Sequence, residues 1–420
     1  MKKKSALVLL FTANAVSGFA QGITMMAIPW HFAQHQRGPA FNLLYGCTTF
    51  LTVFWGLYAG TLVDRFPRRR VFLATSLTQG VVVLGVAAYG WLAGLSVPAI
   101  ALVFVVTFFG YQIHYPNLYA FAQEISEPHA YPRITSQIEI VGQSTSLLSG
   151  GAAAVLLEGV HWQTSLSVMG RVLPVNLHVP RWELHHLFAF DGLTYVVAFG
   201  LIAFIRYVPH RRVRTETGSL LKRLRSGFNY LRAHPLILFF GLLSFNVFVA
   251  ASIQLQALLP MYVTNHLRQG GHAVGLAELT GSFGAMSAGI LTRRLLAHRP
   301  VPGALIALMV LSGANFFLAG LTRLPWVFYV FSMLNGFFNS GTRILRVTYL
   351  FDHVPNELAG RVNSILGMLN VLIRMTFIFL FSQAFFGRGS NITHAYLIMG
   401  GFVLLSGGVL TMSYRKLVTE

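Results

Sequence analysis

The feature that most constrains this chain is a recurring run of about 20 apolar residues, long enough to cross roughly 30 Å of hydrocarbon as a helix. Twelve such runs lie at 5–30, 41–63, 71–95, 98–122, 134–160, 187–208, 236–262, 274–295, 302–322, 326–347, 362–386 and 392–414. Of the 420 residues, 10% are charged and 55% hydrophobic, whereas a soluble domain carries about 25% charged residues. A water-soluble fold of this length would lack the polar atoms to cover itself. The expected fold is an all-α membrane protein with twelve transmembrane helices.

A formal charge of +19 raises the possibility of nucleic-acid binding. The basic residues argue against it, because they sit at the ends of apolar runs and gather on no single soluble face. With Lys2, Lys3 and Lys4 placed inside, the Lys and Arg at span ends favour the inner side by roughly four to one. Both termini are then cytoplasmic and the membrane is the plasma (inner) membrane. The start imitates a secretory signal, but its apolar stretch continues through Pro29 and Trp30. It therefore reads as an uncleaved first span. Cys47 is the single cysteine, so no intramolecular disulfide and no cysteine zinc site is expected.

The densest charge cluster, Gly60-Thr-Leu-Val-Asp64-Arg65-Phe-Pro67-Arg68-Arg69-Arg70, separates spans 2 and 3. It has a degenerate echo, Gly289-Ile-Leu-Thr-Arg293-Arg294, after span 8. Arg133-Ile-Thr-Ser136 before span 5 is likewise echoed by Arg361-Val-Asn-Ser364 before span 11. Both pairs are separated by about 229 residues, which points to two six-helix halves in parallel arrangement, a plan common in secondary transporters. The halves are 1–208 and 236–420. Between them lies a basic linker, 209–235, in which Leu220, Leu221, Leu224, Phe228 and Leu231 recur at helical spacing. That pattern predicts an amphipathic helix on the cytoplasmic membrane surface. The stretch His161 to His186 holds four histidines without metal-ligand spacing and reads as a solvated outer loop.

Gly60-x-x-x-Asp64-Arg65-x-x-Arg68-Arg69 resembles the loop 2–3 signature of the major facilitator superfamily, with Pro67 in place of its usual second glycine. Three further stretches resemble the drug-efflux branch that includes macrolide and siderophore exporters. They are Phe190-Asp191-Gly-Leu-Thr-Tyr-Val, Ser226-Gly-Phe-Asn-Tyr-Leu-Arg-Ala-His234-Pro235 and Val354-Pro355-Asn-Glu357-Leu-Ala-Gly360-Arg361-Val-Asn363-Ser364. Span 5 reads Gly142-Gln-Ser-Thr-Ser-Leu-Leu-Ser-Gly150-Gly151 and lacks the Gly-Pro pair that many exporters carry there.

The resemblance implies that Gly60, Asp64, Arg65, Arg68, Arg69 and Arg361 form a cytoplasmic gate, Asp64 facing the helix start at Gly360-Arg361. It also implies that spans 1, 4, 7 and 10 line the substrate cavity. The polar residues available there are Asn14, Gln21, Gln112, Tyr115, Asn246, Gln254, Asn335 and Asn339. Ionisable groups inside a bilayer are functional suspects by default, and here they are Glu139, Glu278, His114 and Arg374. Glu139 would pair with Arg133 or carry a coupling proton. Arg374 would reach cavity water, a carboxylate on another helix or an anionic substrate. Glu158 and Asp191 lie nearer the outer span ends, where solvent would reach them.

The expected activity is secondary transport by alternating access, exporting an amphipathic small molecule such as a drug-like compound or siderophore. The alternative is uptake of a small anionic or metal-chelate solute. A membrane-embedded enzyme would need a clustered nucleophile and base or a metal pair, and the sequence holds neither. The expected partners are a small-molecule substrate, a coupling proton and the lipid bilayer, with no nucleic acid and no cofactor, in a monomer.

Overall fold

The structure is a computed structural model that describes residues 3–127, 130–168, 171–206, 220–295 and 300–419. It gives backbone alone at 3, 56–61, 64, 131, 132, 161–168, 171–177, 220–224, 293–295, 356, 357, 416, 418 and 419. Five long helices come first, α1 (Lys3–Gln34), α2 (Gly38–Arg65), α3 (Arg68–Ala93), α4 (Val97–Ile125) and α5 (Tyr131–Leu156). A hairpin of β1 (Val160–Val168) and β2 (Arg171–Val179) leads to α6 (Leu184–Ala203), and α7 (Leu220–Ala233) follows. The second part opens with α8 (Pro235–Ile253), which continues through π turns at Gln254–Leu258 and Tyr262–Leu267 and the single turn α9 (Leu259–Met261). Then come α10 (Gly271–Leu295), α11 (Val301–Leu321), α12 (Pro325–His353), α13 (Asn356–Phe381), α14 (Ile392–Met412) and the short α15 (Tyr414–Thr419).

Taking α8 with its continuation, twelve long helices correspond one for one to the twelve predicted spans. Among the described residues nine are long and apolar enough to cross a membrane, the continuous Pro235–Leu267 run among them. The remaining three are α2, α5 and α12. Both α5 and α12 are diluted by polar residues, Arg133, Gln137, Glu139 and Gln143 in one and Asn335, Asn339, Arg343 and Arg346 in the other. Large apolar side chains stay uncovered along the helices, Leu92 and Met412 each at 88% exposure. A bilayer, and not water, is the solvent that such a surface requires. The protein is a multi-pass integral membrane protein.

Local chemistry sets several helix ends. Ser96 accepts from the Ala99 N–H at 3.4 Å and Pro98 follows in the first turn, so α4 starts there. Glu183 and His186 exchange side-chain and backbone bonds in a capping box that opens α6. Pro260 has no N–H to donate, and the two π turns flank it. Such i→i+5 turns accommodate the interrupted ladder. Tyr262 anchors the distorted stretch by donating to the carbonyls of Ala319 (2.6 Å) and Thr322 (3.1 Å).

The hairpin corrects the loop expected from His161 to His186. Val160 pairs with Val179 and His161 with His178 in antiparallel register. Gly159 turns the chain into it at φ 76°, a conformation that a side chain would strain. The signal was present in Val168-Met-Gly-Arg-Val172 and the valines and leucines of β2, a strand–turn–strand pattern inside a segment dominated by helices.

The described residues gather into two compact units. The first comprises Met1–Gln34, Ala59–Arg212 and Arg268–Leu279, the second His35–Tyr58, Val213–Leu267 and Thr280–Glu420. In the first, Leu10, Phe72, Leu118, Phe121, Ile138 and Ile202 join α1, α3, α4, α5 and α6 in one core cluster. In the second, Leu231 of α7 is buried with Ile237, Leu350, Val354, Val362 and Ile365. This modifies the expected surface helix. Part of the apolar face of α7 is spent on protein packing against α8, α12 and α13, while Phe228 stays 58% exposed.

Candidate substrate site

In the first unit the predicted polar residues come together in pairs. His114 Nε2 on α4 lies 2.7 Å from Asn14 Oδ1 on α1, and its ring meets Phe72 edge to face at 5.1 Å between centroids. One turn apart on α4, the rings of Tyr111 and Tyr115 meet at a tilt of 48° with centroids 4.7 Å apart. Tyr119 donates to Glu139 Oε1 at 2.7 Å, so a phenol from α4 holds this carboxyl. Ser146 of α5 donates to Glu278 Oε1 of α10 at 2.8 Å. The two helices are close there because of glycine. A Cβ on Gly150 would fall 2.7 Å from the Leu279 backbone nitrogen, and one on Gly275 would strike the Ala154 nitrogen. Gln21 and Gln112 are half-buried with no hydrogen bond among the described residues.

The two acids set aside as easily solvated have firmer positions. The Glu158 carboxylate accepts the Gly271 N–H at 2.6 Å and lies 3.7 Å from His272 Nδ1. It caps the positive end of α10. Asp191 on α6 is 0% exposed and neither carboxyl oxygen is hydrogen-bonded among the described residues. Thr24 on α1 is close enough to feel the carboxyl but stands outside bonding geometry. Sequence reasoning placed it by distance from the span end. The structure seals it because α6 packs extensively on α1 and α3.

In the second unit several amides are engaged in holding helices together. Asn246 Nδ2 donates to Ser406 Oγ at 2.8 Å, and Asn335 Nδ2 donates to Gln254 Oε1 at 3.2 Å. Their oxygens, like Asn339 Oδ1, remain buried without a donor. Arg346 lies at the end of the apolar run 326–347, where a basic residue anchors a span at the inner surface, yet it is 4% exposed. It donates to the Ser244 carbonyl at 3.2 Å and stacks its guanidinium 3.6 Å over Phe245, a cation–π contact. Helix α12 runs on to His353, which places Arg346 two turns inside its end. The span ending at 347 had left it at the boundary.

Arg374 on α13 is the exception. It is 9% exposed, and among the described residues it makes no hydrogen bond. Its Nε is shut off from solvent. Asn370, one turn earlier, is 3% exposed with an unpartnered Nδ2.

Of the expected gate, the side chains of residues 56–61 and Asp64 lie outside the described residues, so Gly60 and the acid are placed by backbone only, near the end of α2. Arg65 sits 6.0 Å from the Phe66 ring centroid. Arg69 donates to the Ile202 carbonyl at 3.3 Å and to that of Ala203. It thereby satisfies the last turn of α6, where a cation also suits the helix dipole. The backbone carbonyl of Arg68 accepts from Asn117 Nδ2. Arg361 donates to Ser226 Oγ at 3.1 Å, and Tyr230 donates to the His353 carbonyl, which fastens α7 to α12 and α13. Among the described residues no group of three or more His, Cys, Asp or Glu could hold a metal.

The known proteins that this chain resembles agree with that architecture. An enterobactin exporter, EntS, of Shigella boydii serotype 4 (strain Sb227) is 25% identical over 384 residues, covering 88% of this chain and 83% of that protein. EntS of Escherichia coli O81 (strain ED1a) matches to the same extent. Among solved structures, a bacterial homologue of the human lysosomal transporter Spinster, inward-facing and unoccupied, superposes with a TM-score of 0.73 at 13% identity. It covers 99% of this chain and 98% of that one. A D-xylose–proton symporter gives 0.71 at 12% identity, with 97% and 96% coverage. The family model of the Major Facilitator Superfamily matches residues 10–378, and the chain belongs to that superfamily.

Proposed function

We propose that this transporter exports an amphipathic small molecule of the siderophore class by alternating access, driven by a proton gradient. The observation that carries the reading is the match to enterobactin exporters along 88% of the chain. Each unit carries fitting groups, amides and phenols on α1 and α4 of the first and amides on α8 and α12 of the second, which can bond a ligand with little fixed charge. The six-helix halves are 1–208 and 236–420, joined by 209–235, with both termini cytoplasmic and one chain sufficient for transport.

Coupling falls to the protonatable groups of the first unit. Glu139 accepts from the Tyr119 hydroxyl, Glu278 is held by the Ser146 hydroxyl and His114 by one amide, and Asp191 has no hydrogen bond among the described residues. A carboxyl held by a hydroxyl can take up or release a proton with little rearrangement. The gate role of Gly60, Asp64, Arg65, Arg68, Arg69 and Arg361 is supported by the loop 2–3 resemblance of the sequence.

The test is efflux of an iron-free siderophore from proteoliposomes with and without an imposed pH gradient. Gradient-dependent efflux that Glu278→Gln or Glu139→Gln uncouples supports the reading. Efflux indifferent to the gradient removes proton coupling, and siderophore uptake in place of efflux reverses the direction. Unaltered transport in Asp64→Asn removes the gate role.

A further inference from the structure

The seam between α2 and α13 in the second unit holds a cation, Arg374, that has no counter-charge among the described residues. Asn42 donates to the Phe381 carbonyl at 3.0 Å. A Cβ on Gly46 would meet Phe379 at 2.9 Å and Ile378 at 3.3 Å. The two helices therefore run antiparallel in close contact. Extending that register by one turn brings Thr49 alongside Arg374, and Tyr45 stands within electrostatic reach of the guanidinium. Thr49 Oγ1, Asn370 Nδ2 and Arg374 Nε are all buried and lack partners among the described residues.

Buried polar groups are nearly always bonded, so orphans need an explanation, and an unpaired buried cation is the costliest kind. Among the described side chains of the second unit none supplies the missing anion. Its one acid with a described side chain is Asp352, exposed near the end of α12. The orphaned atoms of this group can all donate, and the small exposed part of Arg374 leaves a route to it. We infer that the α2–α13 seam is an oxyanion-binding site, in which Arg374 pairs with a carboxylate or ionised phenol of a small-molecule ligand while Asn370 and Thr49 donate to it. This rests on the small-molecule reading above and deepens it, because it makes the transported molecule an acid.

The probe is salicylate, with salicylamide as its neutral counterpart, binding to the full chain in phosphatidylcholine nanodiscs. Wild type should bind salicylate saturably and salicylamide at least about tenfold more weakly, as expected where one charge-assisted bidentate contact is lost. Arg374→Gln should fall to the salicylamide level, Arg374→Lys should lie between, and Asn370→Leu and Thr49→Val should each lose a few-fold. Tryptophan-fluorescence melting reports folding. If Arg374→Gln does not fold, Arg374→Lys and Asn370→Leu carry the test.

Equal binding of the two probes, absence of saturable binding, or full salicylate affinity in Arg374→Gln overturns the site. Discs containing phosphatidylglycerol separate the other source of anion. If that lipid displaces salicylate from wild type, the occupant is a headgroup and the small-molecule assignment fails. Siderophore efflux is measured in parallel. Efflux with no Arg374-dependent salicylate binding sinks this inference alone, and Arg374-dependent binding without efflux sinks the export reading alone.

Discussion

The α1–α4–α5 region and the α2–α13 seam treat intramembrane polarity in opposite ways. In the first, His114, Glu139 and Glu278 each have a neutral partner, Asn14, Tyr119 and Ser146. In the second, Arg374 and Asn370 have none among the described residues. Each of these groups can gain or lose a proton while its neutral partner, a hydroxyl donor for the carboxyls and an amide oxygen for His114, stays in place. An arginine cannot release its proton. Arg346 is satisfied by a carbonyl and an aromatic ring, and Arg374, which has neither among the described residues, is suited to an anion brought from outside. The contrast separates groups suited to proton traffic from one suited to cargo.

The sharpest way to break that contrast is at the first region's packing. Gly275→Val would press a side chain into the Ala154 backbone, and overpacking of this kind costs about 1–3 kcal/mol or more. The expected result is loss of folded protein or a large fall in melting temperature. A wild-type melt would mean that the α5–α10 contact is not close. Next in size is Arg374→Gln, which should lower siderophore efflux about tenfold or more with little change in melting temperature. A destabilised but fully active protein would make Arg374 structural and erase the difference between the regions.

Arg69→Ala removes the donors at the end of α6 and should cost about 1 kcal/mol of stability, the usual worth of such a terminal cation. Efflux by the folded fraction should be unchanged if the arginine acts only as a cap. Smallest is the coupling between Asn14→Ala and His114→Ala in a double-mutant cycle. About 1 kcal/mol is expected from one buried hydrogen bond, and additive effects would show that the pair is not formed.

Much of the fold was legible because a bilayer imposes one rule, that backbone polarity must be satisfied within each span. Apolar run lengths therefore located all twelve long helices, and the arginine clusters marked their ends. The hairpin at 160–179 escaped because strand alternation over so few residues is faint beside helical runs. Arg346 escaped because its span was cut too short, and a helix carries its polar tail beyond the apolar part whenever the protein covers it. Asp191 was read as wet because depth along a span was the only guide to its surroundings.

The candidate site was legible as a set of residues and not as a set of partners. For Glu139 the sequence offered Arg133 as a partner or a proton-carrying role, and it gave no hint of the bond from Tyr119 on the neighbouring helix. Such choices are made where side chains from different helices meet, which no spacing rule reports.

The sequence by itself determined that this chain lives in a membrane, where its helices run and which residues are costly enough there to matter. Those properties are local, since they depend on run length, charge and the price of burying a dipole. Only the tertiary structure decided which costly residues are satisfied. Partnering depends on helix faces brought together from distant parts of the chain, and it left Arg374 waiting for an anion while Glu139, Glu278 and His114 found company.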